Sequence, residues 1–81
     1  MINSEIKNNI CYTDLVFERV NKKLSTNMSR VEIQDMVLSI LNSADSLSEK
    51  IGKNYYISNL SFNIRLTVNS FTYRLITVDR L

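Results

Sequence analysis

The side chains able to do chemistry are few in kind. The chain carries one thiol, Cys11, four phenols, eight carboxylates and ten cationic groups, and no imidazole. Without His there is no Ser–His relay and no Cys–His pair, and nothing is present to activate Cys11 as a nucleophile. One Cys and no His also leave no standard zinc ligand set. The one glycine, Gly52, cannot form a glycine-rich phosphate loop or a dinucleotide fingerprint, each of which needs several. Glu18, Glu32 and Asp35 read as helix-surface and capping residues rather than as a carboxylate pair. No catalytic residue, metal or cofactor is expected, so the reading is a non-enzymatic protein.

Binding chemistry gathers in the C-terminal part. Residues 1–49 carry five bases and seven acids, whereas residues 50–81 carry five bases and a single acid, Asp79. The net charge of +2 therefore joins an acidic part to a basic one, and such a split hints at an anionic partner. Strand periodicity gives the hint a shape. With Asn59-Leu60 and Asn69-Ser70 as two-residue hairpin turns, Val68 faces Phe71, Leu66 faces Tyr73, Ile64 faces Leu75 and Phe62 faces Thr77. Ile57 and Tyr55 join the same apolar face opposite Phe62 and Ile64. The other face then holds Asn54, Tyr56, Asn63, Arg65, Thr67, Thr72, Arg74 and Ile76, with Arg65 directly opposite Arg74.

Like charges opposed across a strand pair destabilise it unless water or an anion lies between them. Two guanidinium forks flanked by Thr67, Thr72 and Asn63 suit a phosphate or carboxylate. Tyr56, diagonally close, could stack on a base. The same residues on a wetted sheet face also need no ligand, and Ile76 interrupts the patch's polarity. The candidate partners are thus an anionic ligand, a nucleic acid or another protein.

These residues need elements to hold them. Ile2, Ile6 and Ile10 recur at helical spacing and suggest a short leading helix. Thr13 is placed as an N-cap before Asp14, and Val16, Phe17, Val20 and Leu24 follow, with Lys22 and Lys23 near the C-terminus. Ser29-Arg30-Val31-Glu32 reads as a capping box, with Met28 and Ile33 as a hydrophobic staple. Ile33, Met36, Val37, Ile40, Leu41 and Ala44 trace one stripe, predicting a helix over about 30–43. Residues 43–53 fit either a short helix or a strand ending at Gly52. Asn54–Ser58, Phe62–Val68 and Phe71–Val78 read as strands.

The expected fold is α+β. Two N-terminal helices, or three with the leading one, pack on one face of a three- to four-stranded antiparallel meander. One domain spans 1–81, helical over 1–45 and sheet over 46–81. A chain this short has a thin core, so a homo-oligomer is left open. The lone Cys11 gives no internal disulfide, which favours a reducing, cytoplasmic setting. No apolar run reaches the ~18 residues of a membrane span, and no apolar leader follows Met1.

Three stretches carry a resemblance. Gly52-Lys53-Asn54-Tyr55-Tyr56-Ile57, Asn63-Ile64-Arg65-Leu66-Thr67-Val68-Asn69-Ser70 and Thr72-Tyr73-Arg74-Leu75-Ile76-Thr77-Val78-Asp79-Arg80 resemble a small bacterial domain-of-unknown-function family, number 3781. The opening Ile10-Cys11-Tyr12-Thr13-Asp14-Leu15-Val16 is similar too, and 43–51 is the loosest part. That family brings no activity to carry over. Its occurrence in low-GC bacteria and their mobile elements implies a phage or prophage setting, including inhibition of a host defence system. A coarser likeness, at fold level, is to RelE/ParE toxins, which place helices before an antiparallel sheet bearing arginines. Arg65 and Arg74 would match, although no N-terminal strand precedes the helices. The functional expectation is a binding protein using the Arg65/Arg74 face; the alternative is a compact ribonuclease or translation toxin.

Overall fold

The computed structural model describes residues 2–81. Three helices, α1 (Ile2–Asn9), α2 (Asp14–Leu24) and α3 (Arg30–Asn42), precede four strands, β1 (Ser46–Ile51), β2 (Asn54–Asn59), β3 (Ile64–Asn69) and β4 (Leu75–Arg80). The strands form one antiparallel sheet in the order β1-β2-β3-β4. The fold is α+β as expected, with the leading segment helical and the segment before Gly52 a strand.

Local chemistry explains where the helices start and stop. The Ser29 Oγ accepts the Glu32 N–H at 3.1 Å, and the Glu32 carboxylate accepts the Ser29 N–H at 3.0 Å. This is the capping box, and it fixes the first turn of α3. Thr13 occupies the N-cap position of α2 in extended conformation, but its side chain makes no cap hydrogen bond. α2 ends at Ser25, which is left-handed at φ 56°. Between the two helices, Asn21 clamps the loop. Its Nδ2 donates to the Met28 carbonyl at 2.9 Å and its Oδ1 accepts the Met28 N–H at 2.8 Å.

The helices cover one face of the sheet. Ile6 of α1, Val16, Phe17, Val20 and Leu24 of α2, and Ile33, Val37, Ile40 and Leu41 of α3 are buried in one cluster with Ile57, Ile64, Leu66, Val68, Leu75 and Val78. Each such side chain stabilises the fold by about 1.5–3 kcal/mol when fully buried. Asn59 is fully buried beside them and is satisfied. Its Nδ2 donates to Ser46 Oγ at 2.8 Å, and its Oδ1 accepts the Phe62 N–H at 2.8 Å.

The strand register departs from the expectation at both later hairpins. Asn59 and Asn69 open the loops as expected, but the loops are longer: residues 60–63 and 70–74. The reason lies in the asparagine side chains. Asn59 Oδ1 accepts from Phe62, and Asn69 Oδ1 accepts from the N–H groups of Phe71 and Thr72 at 2.8 and 2.9 Å. These side-chain bonds to N–H groups two and three residues ahead hold the wider turns in place. Each loop instead turns back at a left-handed residue, Asn63 at φ 59° and Tyr73 at φ 57°. Phe62 and Phe71 consequently leave the sheet and are exposed.

For β2 and β3 the change is an even number of residues, so the faces survive: Ile57 pairs with Leu66 and Asn59 with Ile64. For β4 it is odd. Leu66 pairs with Val78, Arg65 with Asp79 and Thr67 with Thr77, so most of β4 is turned over relative to the expectation. A bulge between Thr67 and Val68 then lets Val68 pair with Leu75, leaving Ile76 as the extra residue. The β1–β2 turn is the two-residue Gly52-Lys53, with Gly52 at φ 60°. Positive φ on the first turn residue matches the hairpin type that favours glycine there.

Candidate functional site

The face of the sheet away from the helices is uncovered. Of the six residues expected to form a site, Tyr56, Arg65 and Thr67 share this face, from β2 and β3. Tyr56 pairs with Thr67, and the Arg65 guanidinium lies 5.9 Å from the centre of the Tyr56 ring. That is within the range of a cation–π contact. Thr67 is buried, and the Thr77 hydroxyl across from it is buried without a partner. The two threonines therefore floor the face, while Tyr56 and Arg65 present themselves to solvent.

The other three residues lie elsewhere. Asn63 is an exposed loop residue whose carbonyl accepts the Leu81 N–H at 3.0 Å. Thr72 sits in the β3–β4 loop, where its Oγ1 accepts the Arg74 N–H at 3.3 Å. Arg74 precedes β4 and is not opposite Arg65. The five-residue loop and the odd register put Asp79 in that place. The expected pair of facing guanidiniums is thus replaced by an Arg–Asp pair of opposite charge.

The electrostatics of the face change accordingly. Arg65 has Asp79 on one side and Ser58 on the other. Tyr56 has Glu49 beyond it on β1. Asp79 is also held by Lys23 at 3.2 Å. Charge alternates across the sheet instead of accumulating as positive. At the β1 margin, Leu47 and Ile51 flank Glu49 and are 69% and 57% exposed.

Arg74 belongs to a second feature, at the free edge of β4. Cys11, in the connection between α1 and α2, forms a parallel bridge with Arg74. The Cys11 N–H donates to the Tyr73 carbonyl and the Leu75 N–H donates to the Cys11 carbonyl, both at 2.9 Å. The bridge brings the start of α2 beside β4. Thr13, Leu15, Val16 and Arg19 there line a cleft of about 260 Å³ together with Arg74, Leu75 and Ile76. The sequence reading did not single out Arg19. Its one local signal is the i,i+4 spacing from Leu15 on the exposed side of α2, which says nothing about a partner on β4.

Two further clusters hold the domain together. Tyr12 stacks on Phe17 at 5.5 Å, and Arg30 lies 4.9 Å from the Phe17 ring while reaching Asp14 at 3.0 Å. Burial, with a smaller contribution from Cys11, pushes the Tyr12 phenol above its usual range. The Tyr73 phenol is pushed up to about 12, first by the Glu5 carboxylate and then by burial and by Tyr55, whose ring centre lies 6.2 Å away. Among the described residues, no group of three acids or thiols is placed to hold a metal. No described helix is long and apolar enough to cross a membrane.

An α+β domain with helices on one sheet face, an open second face and a basic cleft at its β4 edge is the class these features define. The chain belongs to DUF3781, a family of proteins of unknown function, whose model matches residues 4–79. No curated protein and no solved structure matches it.

Proposed function

We propose that this chain is a small non-enzymatic binding protein that docks a partner protein on its uncovered sheet face. The observation that carries the reading is Arg65 over Tyr56, set between Glu49 and Asp79 and bordered by exposed Leu47 and Ile51. Aromatic and arginine anchors dominate the energetics of protein interfaces, and charges of both signs around them favour one complementary partner. A nucleic-acid surface needs several cations following the phosphates. Here one carboxylate, Asp79, stands opposite the one arginine and a second, Glu49, beside Tyr56, which works against a polyanion.

The ribonuclease or toxin alternative drew its support from Arg65 and Arg74 acting together. Their separation removes that support. The exposed, unpaired Cys11 fits a reducing compartment and so a cytoplasmic location. A phage-borne inhibitor of a host defence protein is one form of the docking reading, and the gene neighbourhood bears on it directly.

The test is affinity capture with the wild-type chain, Tyr56→Ala, Arg65→Glu and Arg74→Ala. A stoichiometric protein held by the wild type and Arg74→Ala, and lost with the other two, is the expected result. Circular dichroism would verify that all four are folded. Equal capture by all four, or no stoichiometric partner from the source cells, would sink the proposal.

A further inference from the structure

We infer that the cleft between α2 and the free edge of β4 is a binding site for a small phosphate-bearing ligand, gripped by Arg19 and Arg74. The cleft is separate from the docking face and does not depend on that reading. Its lining residues include two arginines and no acid. Among the described residues, neither arginine has a carboxylate within ion-pair distance. Asp14, at the start of the same helix, is engaged with Arg30 at 3.0 Å, and Asp79, near the end of β4, with Lys23 at 3.2 Å. Like charges lining one cleft, Arg19 from α2 and Arg74 from the start of β4, repel each other, and an anion between them turns that repulsion into attraction.

The shape and chemistry narrow the ligand. A volume of about 260 Å³ is below the ~300–1,000 Å³ of sites for drug-sized molecules, so a compact group is selected over a dinucleotide. Each guanidinium offers a planar fork of donors. Two forks exceed what the two oxygens of one carboxylate take up well, whereas a phosphate monoester presents three terminal oxygens. The Thr13 hydroxyl, unused as a helix cap, is free to donate as well. Leu15, Val16, Leu75 and Ile76 supply an apolar wall for a short carbon skeleton attached to the phosphate.

The cleft is a product of tertiary structure. Arg74 reaches it only because the Cys11 bridge lays the start of α2 along β4.

The experiment is a titration followed by amide chemical shifts, using inorganic phosphate and phenyl phosphate in separate arms. Potassium chloride at matched ionic strength and acetate serve as controls. Saturable shifts at Thr13, Leu15, Arg19, Arg74 and Ile76 are expected in both phosphate arms, tighter for phenyl phosphate. Arg19→Gln and Arg74→Gln should each weaken binding about tenfold or more, as expected for losing one charge-assisted contact. Arg65→Gln should leave it unchanged. Because both cleft arginines are exposed, these variants should keep the fold, and an unchanged amide spectrum away from the cleft would show it. Non-saturating shifts that chloride reproduces, equal binding of acetate, or unchanged affinity in the Arg19→Gln/Arg74→Gln double variant would each overturn the assignment. Stronger binding of inorganic phosphate than of phenyl phosphate would overturn the role given to the apolar wall.

Discussion

Arg65 stands opposite Asp79 across the β3–β4 ladder, and Arg74 stands apart from both in a bridge with Cys11. The two arginines therefore belong to different surroundings. Arg65→Ala and Arg74→Ala should each change stability by about 0.5 kcal/mol or less, as exposed substitutions do. The double variant should match the sum of the singles within ~0.5 kcal/mol. Urea denaturation measures this, and a larger coupling would mean that the side chains meet.

Backbone conformation gives an opposed pair of predictions. Gly52 has φ 60° and open space around an added Cβ. Gly52→Ala should cost about 1–2 kcal/mol from the left-handed conformation alone, without a clash. Ser25 holds a similar conformation at φ 56° and is exposed. Ser25→Gly should stabilise the fold by about 0.5–1 kcal/mol, the relief of strain exceeding glycine's entropy cost. Thermal unfolding of the two variants should move in opposite directions.

At the start of α3, Ser29→Ala should cost about 1 kcal/mol, because the Glu32 N–H loses its acceptor. The Ser29 backbone N–H and hydroxyl, in that order, hold the Glu32 carboxyl below its ordinary value of 4.5. A depressed carboxyl stabilises the fold above its unfolded value, and that contribution is lost as pH falls through the folded one. The acid limb of a stability-versus-pH curve should therefore flatten in Glu32→Gln relative to the wild type.

Tyr73 sets an alkaline counterpart. The neighbouring Glu5 carboxylate, with burial and Tyr55 adding to it, pushes its phenol from 10 up to about 12. A group whose folded value is raised contributes stability below its unfolded value, and loses it as pH rises between about 10 and 12. Phenolate absorbance should show this tyrosine ionising late. In Glu5→Gln, which removes the charged acceptor, its titration should move back toward 10.

The helical part was legible because its signals are local. The capping box, the 33-37-40-41 stripe and the lysines closing α2 each act within a few residues. Strand composition located the sheet for the same reason. Register was not legible, because it depended on loop length, and loop length depended on which N–H groups the Asn59 and Asn69 side chains captured. A pattern of apolar matches could not detect the error. Phe62, Phe71 and Tyr73 fit the apolar face by residue type, yet Asn63 and Tyr73 in left-handed conformation take them out of the ladder. Tyr56 and Arg65 kept their shared face because the β2–β3 shift was even. Arg74 lost its place because the β3–β4 shift was odd. Arg19 became visible only through the Cys11 bridge, a contact between segments distant along the chain.

The bulge at Ile76 separates what β4 needs to fold from what it displays. With Ile76 skipped, Leu75, Thr77, Val78 and Asp79 form an ordinary alternation, with Leu75 and Val78 toward the helices and Thr77 and Asp79 on the opposite face. Ile76 behaves as a one-residue insertion that the strand accommodates without losing its core contacts. Its place is the wall of the edge cleft. The domain's interior would be complete in a chain one residue shorter, and the surplus residue is spent at the surface.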